Sequence, residues 1–157
     1  MKVLQVSAVV VVLDQITKAL TRSYLDLYDS VPVITNFFHL TYVTNDGMAF
    51  GLNFPGGSFV FLVISIILTI VIFMYLWKEQ NNHMLMRLSL ALILAGAVGN
   101  LIDRLLFGKV VDFFDFMLGD YHWYIFNVAD SAVTIGMILF LYFSFIIQPK
   151  LQTKTVS

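Results

Sequence analysis

The 157-residue chain has no cysteine. That excludes a disulfide framework, a thiolate nucleophile and a Cys-ligated metal. Charge is nearly as scarce. Charged residues make up 12% of the chain, about half the roughly 25% of soluble domains. The net charge of −1 argues against a nucleic-acid partner. The three histidines, His39, His83 and His122, are scattered and form no His-Glu-x-x-His pattern, so no zinc site is expected.

Apolar residues fill the space that charge leaves. They make up 59% of the chain, and the mean hydropathy is +0.86. The length suits one soluble domain, or about four membrane helices of ~20 residues with their loops. Apolar runs predict helices over about 3–21, 58–77, 84–106 and 128–147, the last stopping before Pro149. The expected fold is an α-helical membrane protein, one integral domain over 1–157. Its start, Lys2 and then an apolar stretch with four consecutive valines, mimics a signal peptide. No Ala-x-Ala-like site follows, and Asp14 and Lys18 interrupt the run, so it reads as a retained first helix.

The connections differ in kind. Residues 78–83 are short and polar, while 22–57 and 107–127 are long and rich in aromatics and Asp. Segment 31–44 alternates and is rich in β-branched and aromatic residues. It predicts short strands over about 30–45, a small extracytoplasmic β-sheet with a turn at Thr35-Asn36. Gly47, Gly51, Pro55, Gly56 and Gly57 suggest a mobile lid. Lys2, Lys78, Arg87, Lys150 and Lys154 fall at one set of helix ends, which places both termini in the cytoplasm.

Polar residues inside such a chain stand out. A carboxylate costs roughly 2.5–3.5 kcal/mol at the centre of a membrane helix, so an intramembrane ionisable group is a functional candidate. Two carboxylates at one site cannot both ionise. They share a proton, and one acts as base while the other acts as acid. Asp112 in Val-Val-Asp-Phe-Phe-Asp and Asp130 in Phe-Asn-Val-Ala-Asp-Ser are the candidates, and they point to an aspartyl peptidase.

Other groups carry two readings each. Asp14 and Lys18 share a helix face at i,i+4, as a structural pair or as substrate contacts. Asn100, Asp103 and Arg104 share a stripe behind the small-residue ridge Ala91, Ala95 and Gly99, and the ridge reads as packing. Arg104 suits a carboxylate, a lipid headgroup or peptide carbonyls. Asp103 reads as structural. Asn127 reads as a helix N-cap with Asp130 in the first turn. The aromatics, Trp123, Tyr124 and Phe126 among them, read mostly as an interfacial belt. A transporter would also use buried Asp, Lys and Arg, but the chain lacks inverted repeats. An assembly subunit would use them as interhelical glue.

Five ordered blocks then resemble the lipoprotein signal peptidase (type II signal peptidase) family. They are Asp14-Gln15-Ile16-Thr17-Lys18; Asn45-Asp46-Gly47-Met48-Ala49-Phe50; Gly96 through Arg104; Val110-Val111-Asp112-Phe113; and Phe126 through Ser131. Ala95 stands where many members have Gly, and Asp46-Gly47-Met48 varies the usual block. The resemblance implies removal of signal peptides from diacylglyceryl-modified bacterial prolipoproteins, with cleavage just before the lipidated cysteine. It implies a catalytic dyad at Asp112 and Asp130. It implies substrate-binding residues at Asp14, Lys18, Asn45, Gly47, Asn100, Arg104 and Asn127. It further implies inhibition by globomycin-like cyclic peptides, no metal or organic cofactor, and a place in the bacterial inner membrane. The charge placement puts the active site on the extracytoplasmic side, and a monomer is expected.

Overall fold

A computed structural model describes residues 2–46, 57–119 and 121–156. Of the expected lid, Gly47, Gly51, Pro55 and Gly56 lie outside the described residues, while Gly57 is the first residue of a helix. The element order is α1 (Val3–Tyr24), β1 (Ser30–Ile34), β2 (Phe38–Asn45), α2 (Gly57–Lys78), α3 (Met84–Phe107), β3 (Val110–Leu118), β4 (Tyr121–His122) and α4 (Val128–Tyr142). A π-helical turn (Phe143–Ile147) and α5 (Gln148–Val156) continue α4.

Four helices are long and apolar enough to cross a membrane: α1, α2, α3, and α4 with its continuation to Thr153. Their outer faces carry bare apolar side chains, such as Val9, Ile67 and Ile138, as lipid-facing helices must. The helix α2 is apolar all round and buries only Gly57 and Leu76. The central helix is α3, packed on α1, α2 and α4. Its small residues let α4 come close. A Cβ on Gly96 would meet the Ala129 carbonyl oxygen at 2.2 Å, and one on Gly99 would meet Asp14 Oδ2 at 2.6 Å. Ala91 and Ala95 of the predicted ridge are fully buried.

The polar α2–α3 turn is capped by His83, whose Nδ1 accepts from the Leu85 N–H at 3.2 Å. At its far end α3 stops on Gly108, which takes φ +74° and donates its N–H to the Arg104 carbonyl at 3.0 Å. That left-handed geometry ends the helix and turns the chain into β3, and glycine adopts it without strain.

The small sheet has the antiparallel order β1-β2-β3-β4. Its hairpin turns through Asn36 at φ +59°, with the Phe37 N–H bonded to the Ile34 carbonyl at 3.1 Å. The sequence places 107–127 in a linker, yet strand β3 within it is central. It pairs with β2 on one side, through Val43↔Asp112 and Asn45↔Val110. On the other side it receives β4 and the segment after it. Trp123 N–H bonds the Phe116 carbonyl at 2.7 Å, and Phe126 N–H bonds the Phe114 carbonyl at 3.1 Å.

One expected boundary is corrected. The last helix does not stop before Pro149 but runs on through it as α5. Proline lacks the N–H of a regular α-turn and crowds the carbonyl four residues back. Here the turn before it is already widened, with Gln148 N–H reaching back five residues to the Phe143 carbonyl, so the proline enters at the start of a fresh helical segment.

Candidate active site

Asp130 is placed by the start of α4. Asn127 caps the helix: its Oδ1 accepts the Asp130 N–H at 2.9 Å. In return Asp130 Oδ2 accepts the Asn127 N–H at 3.2 Å. This capping box fixes both side chains. It also sets Asp130 at the positive end of the helix dipole, a place that suits an anion. The other oxygen, Oδ1, accepts from Asn100 Nδ2 at 2.8 Å.

Asp112 comes from the middle strand. Its side chain is 2% exposed, and its Oδ1 accepts from Asn127 Nδ2 at 2.7 Å. Asn45 lies diagonally across the β2–β3 ladder on the same face. Burial first, and then the charge of Asp130, push the Asp112 carboxyl up from 3.8 to about 7, against hydrogen bonds from Asn127 and Asn45 and the charge of Lys18. A carboxyl raised toward neutrality beside a second carboxylate is the arrangement in which two groups can share one proton.

Both aspartates face one cavity of about 250 Å³, with Asn45, Phe61, Asn100, Arg104, Val110 and Tyr124. Arg104 is loosely held within the protein. One guanidinium nitrogen reaches the Asn100 carbonyl at 3.5 Å, and its buried Nε has no hydrogen-bond partner among the described residues.

Behind the cavity lies a second layer. Lys18 and Asp14 are both 0% exposed and pair at 2.9 Å. Lys18 also pairs with Asp103 at 3.2 Å and donates to Asn100 Oδ1 at 2.9 Å. Asn127 Nδ2 lies 3.1 Å from the same Asn100 oxygen. With its oxygen turned toward those donors, Asn100 must present its NH₂ to Asp130. Asp14 Oδ1 accepts the Ala129 N–H of α4 at 2.9 Å. Asp103 Oδ2 accepts the Val111 N–H at 3.0 Å, which anchors β3 one residue from Asp112. Gln15 bridges Asp14, Asp103 and the Gly99 carbonyl at 3.1–3.2 Å.

Five of the residues singled out from the sequence thus face one cavity: Asp112, Asp130, Asn45, Asn100 and Arg104. Asn127 is fully buried directly behind the two aspartates. Asp14 and Lys18 lie a layer deeper, with no surface open to a substrate. Gly47 lies outside the described residues. The sequence reading missed the contributions of Tyr124 and Gln15, as well as the reach of Asp103 to β3. The Asp14-Gln15-Ile16-Thr17-Lys18 block held a signal for Gln15, because it lies between two intramembrane charges. Among the described residues no group of three or more His, Cys, Asp or Glu is placed to hold a metal ion.

Four apolar spans, a surface sheet and a cavity holding two carboxylates define a multi-pass membrane protein with a candidate hydrolytic centre. Residues 6–146 match the signal peptidase (SPase) II family. A lipoprotein signal peptidase of Desulforapulum autotrophicum is 51% identical over 142 residues, covering 87% of each chain. One from Syntrophus aciditrophicus is 45% identical over 141 residues, covering 86% of each. A solved bacterial membrane enzyme at 37% identity superposes with a TM-score of 0.79, covering 89% of this chain and 85% of its own. The chain belongs to the signal peptidase II family, and it is a multi-pass bacterial membrane peptidase.

Proposed function

We propose that the chain is an intramembrane aspartyl endopeptidase. It removes signal peptides from diacylglyceryl-modified prolipoproteins and cleaves just before the lipidated cysteine. The observation that carries this reading is the shared cavity of Asp112 and Asp130, each held by an asparagine amide. The relatives named lipoprotein signal peptidases supply the substrate class.

The mechanism follows from the anchoring. Asp112 carries the proton, because its buried site disfavours charge. Asp130, at the helix N-terminus with two N–H donors, is the carboxylate. Asp130 takes a proton from a water held between the two, and that water attacks the scissile carbonyl. Asp112 donates a hydrogen bond to the growing oxyanion, and a proton then passes to the leaving amine. Arg104 binds a carbonyl or other polar group of the substrate backbone. Asn45 and Asn127 hold Asp112, and Asn100 holds Asp130. Asp14 and Lys18 serve through Asn100 and the α4 N-terminus, without touching substrate. The diacylglyceryl chains lie against apolar helix faces. The enzyme works as a monomer in the bacterial inner membrane with the sheet end extracytoplasmic and both termini cytoplasmic, as its Lys and Arg distribution favours.

The test is gel-shift cleavage of a diacylglyceryl prolipoprotein by the purified chain in detergent. The wild type should turn over the lipidated precursor and spare the unlipidated one. Asp112→Asn and Asp130→Asn should each be inactive, while Asp103→Asn should lose less activity and more stability. An active Asp112→Asn or Asp130→Asn beside a dead Asp103→Asn sinks the dyad. For the orientation, a cysteine at Gln80 should be labelled only from the cytoplasmic side.

A further inference from the structure

Tyr124 stands between two cavities. Among the described residues, it and Asp130 are the two that line both the 250 Å³ cavity of the aspartates and an adjoining groove of about 600 Å³ along α4. Its backbone is pinned on either side, by the Trp123 and Phe126 bonds to β3. Its hydroxyl accepts from Asn45 Nδ2 at 2.5 Å, and that same Asn45 side chain hydrogen-bonds Asp112. The phenol oxygen thus serves as an acceptor in this bond, which leaves its O–H to donate elsewhere. Its proton is given to no protein acceptor in the hydrogen bonds of the described residues.

Partial burial, and then the charges of Asp112 and Asp130, raise the phenol above its ordinary value of 10.0, against the Asn45 hydrogen bond and the charge of Arg104, although the residue as a whole is 62% exposed. It is therefore a neutral O–H donor at any pH at which the dyad works. A neutral donor adjoining two carboxylates is suited to one task in peptide hydrolysis. The carbonyl oxygen gains charge as water attacks, and a donor held in advance near that oxygen lowers the barrier.

We propose that Tyr124 is a further catalytic residue: its hydroxyl, held by Asn45, donates a hydrogen bond to the scissile carbonyl oxygen as that oxygen gains charge. The phenol keeps its proton throughout, so the proton traffic remains between water, Asp130, Asp112 and the leaving amine. The inference rests on the aspartyl dyad reading. It extends that reading with a group on neither aspartate's element, supplied by the strap between β4 and α4.

The experiment uses the purified full chain in detergent and a synthetic diacylglyceryl prolipopeptide. Tyr124→Phe keeps the ring and removes the donor. It should lower kcat about tenfold and leave KM within about twofold, the pattern of an interaction made only in the transition state. Asn45→Ala separates direct donation from mere support of Asn45. The strap, pinned by Trp123 and Phe126, sets the ring without Asn45, so if Tyr124 donates to substrate, Tyr124→Phe lowers kcat further in the Asn45→Ala background. If it adds nothing there, Tyr124 only positions Asn45 and the proposal is overturned. Replacement of Tyr124 by tetrafluorotyrosine, whose phenol ionises far below tyrosine, supplies a second readout. Activity should then fall at a pH where the wild type is still at its maximum, and an unchanged pH profile overturns the proposal. A Tyr124→Phe enzyme with wild-type kcat beside an inactive Asp112→Asn overturns it while leaving the dyad intact. An active Asp112→Asn removes the dyad, and this inference with it.

Discussion

At the end of the bundle with the α2–α3 turn, the interior is a cluster of Val3, Leu76, Met86, Leu90, Ala91, Leu94 and Phe143. At the sheet end, Asp14, Lys18, Asp103, Asp112 and Asn127 are buried just as deeply, at 0–2% exposure. The difference is one of direction. Apolar contacts are interchangeable, and in a membrane they compete with lipid tails that are equally apolar. The polar end consists of hydrogen bonds with fixed donors and acceptors, so each side chain dictates the orientation of the next. The first end joins helices, whereas the second sets atoms in place.

Substitutions that separate those two roles sharpen the contrast. The largest effect belongs to the dyad. Asp112→Asn and Asp130→Asn should each lower turnover by ~10³-fold or more, and the double variant should be little worse, because members of one catalytic unit are strongly non-additive. Single-turnover cleavage at equal amounts of folded protein measures this.

Lys18→Met comes next. It leaves Asp14 buried without its cation and Asp103 with only Arg22, 3.9 Å away, at about 3–5 kcal/mol, and removes one of the donors that orient Asn100. Thermal melting in detergent should show the loss. Adding Asp14→Asn and Asp103→Asn should recover part of the stability but little of the rate. If the rate returns as well, Asn100 is not oriented by this network.

Acidity tests the same end without breaking a contact. Between pH 3.8 and about 7, folded Asp112 holds a proton that the unfolded chain releases. Stability therefore falls as pH rises through that window and stays lowered above it, by at most about 4 kcal/mol. Asp112→Asn should melt higher than the wild type at pH 8 and alike at pH 3.5. Cleavage by the wild type should decline above about pH 7, as Asp112 loses its proton.

The apolar end should yield less. Leu76→Ala should cost about 1–3 kcal/mol, below the range for soluble cores because lipid competes for the same contacts, with kcat unchanged. Ser7→Ala, which removes the 2.7 Å bond from Ser7 Oγ to the Ala91 carbonyl, should cost about 1 kcal/mol. A kcat lowered in either would show that the two ends are coupled.

Local signals were legible from residues alone. Long apolar runs mark the four spans. Asn127 three residues before Asp130 marks the helix cap. Alternation over 30–45 marks the hairpin. Strand β3 was harder to see, because Asp112-Phe113-Phe114-Asp115 breaks the period of two, and its ladder partners in β2 lie about seventy residues earlier. The depth of Asp14 and Lys18 was also hidden. It depends on how closely α4 crosses α3 at Gly96 and Gly99, which spacing along α1 does not encode. Tyr124 looked like any interfacial aromatic until the strap beside β3 put its hydroxyl on Asn45.

The widened turn at Phe143–Ile147 has a consequence of its own. A π-turn holds one residue more than an α-turn, so it works as slack in the thread of the helix. Upstream, Ala129, Ala132 and Gly136 keep a strict phase against α3, and one residue lost there would swing every later side chain by about 100°. A residue lost within 143–147 would only tighten the coil to ordinary pitch. The slip is confined to the stretch before Pro149, so the tail can vary in length and heading while the phase that aims Asp130 stays untouched.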